Sequence, residues 1–143
     1  MTAAARFLFA LLLALAPQFA SAQEAVPPRD ARAVRAAIEA QLEAFRRDDA
    51  ERAFSLATPG IRATFGTAQA FMHMVRTQYA VVYRPSSVSF EAPVVIGGEL
   101  VQPVRFTDAA GRRWLALYPM QRQPDGRWLT NGCELTPLGG TQT

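Results

Sequence analysis

The sequence has no lysine, one histidine and one cysteine. All 15 basic residues are arginine, dispersed among 12 acids for a formal net charge of +3. A balance that even leaves no basic stripe for a phosphate backbone, so no nucleic-acid partner is expected. With Cys133 alone, no internal disulfide can form; in an oxidising compartment such a cysteine is buried, paired to another chain, or reactive. Burial as a small apolar residue is the expectation. One histidine, His73, cannot complete the usual zinc site with one cysteine, so no metal is expected, and no cofactor motif is present. The chain also lacks an apolar run long enough to cross a bilayer. Phe7 to Ala16 is continuous but well short of the roughly 20 residues a span needs, so no stable membrane anchor is expected.

That short run is informative by its flanks. Arg6 precedes it, Pro17 ends it, and Ala20-Ser21-Ala22 follows with small residues at alternate positions. Charged, apolar and small-residue regions in that order define a secretory signal peptide. Residues 1–22 are therefore expected to be removed after Ala22, giving a periplasmic or secreted protein. Residues 23–29, ending in Pro27-Pro28, read as a linker, residues 30–137 as a single α+β domain, and residues 138–143 as a disordered tail. A domain of this size buries roughly two-thirds of its unfolded surface and needs no cross-link.

Asp30 is positioned to cap a helix whose apolar stripe is Val34, Ile38, Gln41, Leu42 and Phe45. Its other face carries Arg35, Glu39, Glu43 and Arg47 at salt-bridging spacings. Asp48 and Glu51 have capping-box spacing for a short second helix that stops at Pro59-Gly60. A single turn over 61–65 is closed by Gly66. Thr67 caps a further helix with Phe71, Met74, Val75, Gln78, Tyr79 and Val82 on one face, ending before Arg84 because Pro85 follows. Strands occupy the rest. Val88, Phe90, Ala92 and Val94 alternate; Gly97-Gly98 signals a hairpin; Leu100, Val104 and Phe106 alternate; Trp114 to Met120 is apolar on both faces; Leu129, Asn131, Cys133 and Leu135 alternate last. Pro93, Pro103 and Pro119 fall inside strands, where a missing N–H marks an edge or a bulge. Helices followed by consecutive antiparallel strands give an α+β fold. Three such prolines predict a strongly bent antiparallel sheet, cone-shaped and wrapped around the N-terminal helices.

This order of helices and strands resembles the nuclear-transport-factor-two-like (ketosteroid-isomerase-like, cystatin-like) fold. The residues Gln41-Leu42-Glu43-Ala44-Phe45, Asp48-Asp49, Ala53-Phe54-Ser55, Pro59-Gly60-Ile61, Tyr83-Arg84-Pro85, Gly126-Arg127-Trp128 and Gly132-Cys133 resemble, more narrowly, a family of exported bacterial proteins described only as a domain of unknown function. The resemblance implies a cone with an apolar interior and frequent dimers. It implies no catalytic residue, because the superfamily holds both enzymes and non-enzymes.

Isomerases of that superfamily use a carboxylate aimed into the cone, and none stands out here. Glu39 and Glu43 lie on a wet helix face, Glu91 and Glu134 are out of phase with their inward neighbours, and Asp108 and Asp125 sit in turns. A one-residue slip at a bulge would turn Glu91 or Glu134 inward. His73 falls on the outer face of its helix. Polar groups on apolar faces are Gln41, Asn131 and Tyr79, and Cys133 shares the phase of Asn131. Buried amides need partners, so Gln41 and Asn131 either satisfy backbone groups and each other or, with Tyr79 and Cys133, contact a ligand. The reading that follows is a non-catalytic module binding a small apolar ligand, or a protein partner, in a cone-shaped cleft. A small isomerase or hydrolase using an inward carboxylate is the alternative. Because Trp114-Leu115-Ala116-Leu117-Tyr118 leaves an apolar stripe on the convex side, a homodimer through that face is also expected.

Overall fold

The computed structural model describes residues 24–139. Helix α1 (Pro28–Arg46) begins earlier than Asp30: Pro28 stands in its first turn and Asp30 lies within that turn, making no side-chain cap. Proline is suited to this position, since its missing N–H would be unpaired anyway. The buried stripe is Val34, Ile38, Gln41, Ala44 and Phe45. On the exposed face Arg35 pairs with Glu39 at 2.7 Å and Arg47 with Glu43 at 2.6 Å.

The cap of α2 (Ala50–Ser55) is Asp49, which accepts from the Arg52 N–H at 3.0 Å, and not Asp48. Asp48 instead adopts a left-handed conformation, φ 55°, which aspartate tolerates better than most residues. Its carboxylate thereby leaves the helix end and accepts from Tyr83, and from Arg76 and Arg84 at 3.1 Å each. Pro59 opens α3 (Pro59–Phe65) under a Thr58 cap rather than ending the helix before it. Thr67 caps α4 (Ala68–Gln78) as expected, accepting from Ala70 N–H at 3.1 Å. The single helix expected up to Arg84 breaks at Tyr79 and resumes as α5 (Ala80–Tyr83). No proline or glycine stands at the break; the Tyr79 hydroxyl is held across the fold by the Cys133 carbonyl at 3.0 Å.

The strands are β1 (Ser87–Phe90), β2 (Val94–Ile96), β3 (Glu99–Thr107), β4 (Arg113–Arg122), β5 (Trp128–Thr130) and β6 (Glu134–Pro137), all paired antiparallel. Both β1 and β2 pair with β3, and both β5 and β6 pair with β4. Two runs that read as continuous alternation, 88–94 and 129–135, are thus each broken in two. The register gives the reason. Phe90 opposes Val104 and Val94 opposes Val101, so Glu91-Ala92-Pro93 face only Gln102-Pro103. Thr130 opposes Met120 and Glu134 opposes Leu117, so Asn131-Gly132-Cys133 face only Tyr118-Pro119. Each place holds one extra residue, which bends a strand and sharpens its twist. Gln102 and Tyr118 are direct partners across β3 and β4. Both bulges and the prolines at 93, 103 and 119 therefore fall on one crease across the sheet, which curls into a half-barrel around the helices. The fold is α+β with a curled antiparallel sheet, as the prolines implied.

Ala116, Tyr118 and Met120 face the helices and are buried; Leu115 and Leu117 alternate to the convex side and are half-buried. Phe71 centres the core on the helical side, with the rings of Phe45, Phe54 and Phe65 at 6.2, 5.6 and 5.7 Å. The α2–α3 loop is stitched to the sheet by a parallel bridge between Ala57 and Thr130. Leu138 continues the ladder, its N–H donating to the Arg113 carbonyl at 2.8 Å. The expected signal peptide, its cleavage site and residues 140–143 lie outside the described residues. Among the described residues no helix is long and apolar enough to cross a membrane.

Candidate functional site

The crease leaves a cavity of about 370 Å³ between the helices and the sheet. The helices supply apolar walls: Phe45 from α1, Phe65 from α3, Phe71, Met74 and Val75 from α4, and Val82 from α5. Gln41, Tyr118, Thr130, Gly132 and Cys133 line the sheet end, with Tyr79 at the helix break beside them. Half-buried Ile61, Phe65 and Met74 with exposed Gln78 frame the mouth. A wider hollow, about 570 Å³, lies between residues 24–27 and the ends of β3 and β4. It is an open groove, and none of the buried polar groups faces it.

Three of the four residues expected at a site, Gln41, Tyr79 and Cys133, line the cavity. Asn131 does not. Thr130 opposes inward-facing Met120 and takes the cavity-facing phase, so Asn131 beside it turns away, and its side-chain oxygen accepts from the Thr58 hydroxyl at 2.9 Å. It pins the cap of α3 to the sheet. The Gln41 amide donates to the Ala53 carbonyl at 3.0 Å and accepts from the Thr130 hydroxyl at 3.2 Å. Both amides thus serve internal partners, though not each other.

Cys133 is half-buried as a residue, but its thiol is desolvated. Burial pushes it up to about 12; the Tyr118 hydroxyl opposes that rise and the Glu134 carboxylate adds to it. The thiolate, the reactive form, is therefore scarce at neutral pH. Burial also raises the Tyr79 phenol, and raises the Tyr118 phenol much further, with Cys133 as the next influence in each case.

In the sequence Tyr118 is only one member of the apolar run Trp114 to Met120. It is 2% exposed, and among the described residues its hydroxyl finds no hydrogen-bond partner. The Cys133 thiol is near enough to shift its proton affinity, yet no hydrogen bond of acceptable geometry joins them. Thr130, also missed, is 3% exposed, its hydroxyl shared between Gln41 and the Leu56 carbonyl. The alternation of β4 puts 118 in phase with 116 and 120, which locates its face. Only the fold reveals that, among the described residues, nothing accepts its proton.

No carboxylate turns inward. Glu91 and Glu134 are exposed despite the bulges beside them, and Glu91 pairs with Arg105. Asp108 accepts from Arg112 and from the Trp114 indole at 3.1 Å in a turn. Asp125 pairs with Arg127 at 2.7 Å. His73 is exposed on α4. Among the described residues, none lining the cavity is charged, and no group of three or more His, Cys, Asp or Glu could hold a metal ion.

Fold and cavity together define a small α+β domain whose half-barrel sheet and helices enclose an apolar hollow. Residues 28–143 match the family described as Domain of unknown function (DUF4864), and the chain belongs to that family. No curated protein and no solved structure matches the chain.

Proposed function

We propose that this is an exported binding module of the nuclear-transport-factor-two-like superfamily whose cavity takes one small, largely apolar molecule. The observation that carries the reading is the lining: seven apolar side chains from four helices around about 370 Å³, with a few polar groups gathered at one end. Ligand sites are commonly hollows of this size and composition. Helices packed into a curled half-barrel support the superfamily, and the ordered N-terminal pattern supports export. The alternative, an isomerase or hydrolase acting through an inward carboxylate, has no acid in the lining to support it.

Titration with the neutral fluorophore N-phenyl-1-naphthylamine tests this. One saturable site is expected. Met74→Trp, at the half-buried mouth, should fill the hollow and weaken binding about tenfold or more while the protein stays folded by circular dichroism. Non-saturable binding, or affinity indifferent to Met74→Trp, would overturn the reading.

A further inference from the structure

We propose that the natural occupant carries a neutral oxygen acceptor, a ketone, ester or ether oxygen, which receives the hydrogen bond of the Tyr118 hydroxyl at the sheet end of the cavity. The inference rests on the cavity being a binding site and adds the chemical class of what it binds.

A buried hydroxyl ordinarily has a partner, because leaving it unpaired forfeits its hydrogen bonds to water. Tyr118 is the buried side-chain group that lacks one among the described residues. Its surroundings fix where a partner would sit. Cys133 and Tyr79, the groups whose charges couple to it, both line the cavity. Around it the Cys133 carbonyl already accepts from Tyr79 at 3.0 Å and the Gln41 amide oxygen from Thr130 at 3.2 Å, and the nearby Cys133 sulfur is a weak acceptor in poor geometry. The proton of Tyr118 is thus offered to the hollow. Burial holds the phenol neutral, so it donates at any physiological pH.

The lining also selects against charge. With no arginine among the described lining residues, an anion would enter without a counter-charge, in a desolvated hollow where that is costly. A neutral acceptor satisfies the hydroxyl and brings no charge. Matching one buried donor discriminates sharply, because a ligand lacking the acceptor leaves that donor unpaired again.

A matched set of probes tests this: 2-acetylnaphthalene, its hydrocarbon isostere 2-isopropenylnaphthalene, and 2-naphthoate at pH 7.5. The ketone is expected to bind about tenfold tighter than the hydrocarbon, the gain from one well-placed hydrogen bond. Naphthoate should bind weakest. Tyr118→Phe should erase the preference for the ketone while leaving hydrocarbon affinity unchanged, and should not lower the melting temperature of the free protein. Equal affinities for ketone and hydrocarbon in the unsubstituted protein, or a preference that survives Tyr118→Phe, would overturn the inference and leave the apolar site standing. Naphthoate binding as tightly as the ketone would overturn its neutrality. If none of the three probes binds, the binding-site reading itself fails, and this inference with it.

Discussion

The thiol of Cys133 is buried in the cavity wall, and its protonation is tied to folding. Burial pushes it from 9.0 up to about 12. Between those values the unfolded chain has released a proton that the folded one keeps. The associated stability is therefore complete below about pH 9 and is lost as pH climbs towards 12. Urea midpoints measured from pH 7 to 10.5 should fall above pH 9, with Tyr79 and Tyr118 adding to the fall above pH 10. Cys133→Ala should remove the earlier part. The same burial predicts that an aromatic disulfide reagent at pH 8 labels the native protein slowly and the urea-unfolded protein at once. At this scale the sequence was partly legible. Helical phase brings Gln41 and Tyr79 to one place, and the bulge brings Cys133 to them. Asn131 is not brought in because the inward phase of its strand belongs to Thr130 and not to Leu129, and the role of Tyr118 is hidden because a missing partner is a property of what lies opposite in space.

Element boundaries show the same division between what periodicity carries and what it does not. The stripes of α1 and α4 were legible because each repeats over several turns. The α1–α2 turn was not, since adjacent Asp48 and Asp49 are equally able to cap, and the ion pairs of Asp48 with Arg76 and Arg84 are invisible in spacing. Pro59 reads as a stop and serves as a start. Alternation over 88–94 and 129–135 conceals one extra residue in each, because a bulge leaves the pattern of residue types intact. Gly132 makes the second bulge possible. Its φ is +91°, and an added Cβ would meet only the Ile61 side chain at 3.8 Å, an ordinary contact. The cost of Gly132→Ala is thus conformational and not steric, about 1–2 kcal/mol. Gly60, inside α3 with open space around it, should behave oppositely: Gly60→Ala should stabilise by about 0.5–1 kcal/mol. Denaturant unfolding of the two variants reads the difference in sign.

For the whole molecule, the α+β order and the bent sheet were legible in the sequence, because prolines inside strands have few other meanings. Quaternary structure is where the convex face matters. Leu115 and Leu117 on β4 lie beside Pro103 on β3, on the side away from the helices. We expect this stripe to pair with that of a second copy. Sedimentation equilibrium at micromolar concentration should give a dimer mass, and Leu117→Glu should give a monomer. A monomer before substitution would mean that the face is covered from within the chain. The crease has a consequence of another kind. The long strands, β3 and β4, are in the middle of the sheet, while its margins are β1 with β2 and β5 with β6, none longer than four residues. An uninterrupted margin is a template on which a foreign strand can build, and a short, kinked one is not. By breaking both margins at the same height, the two bulges that hollow out the interior also deny neighbouring chains a place to start a fibril.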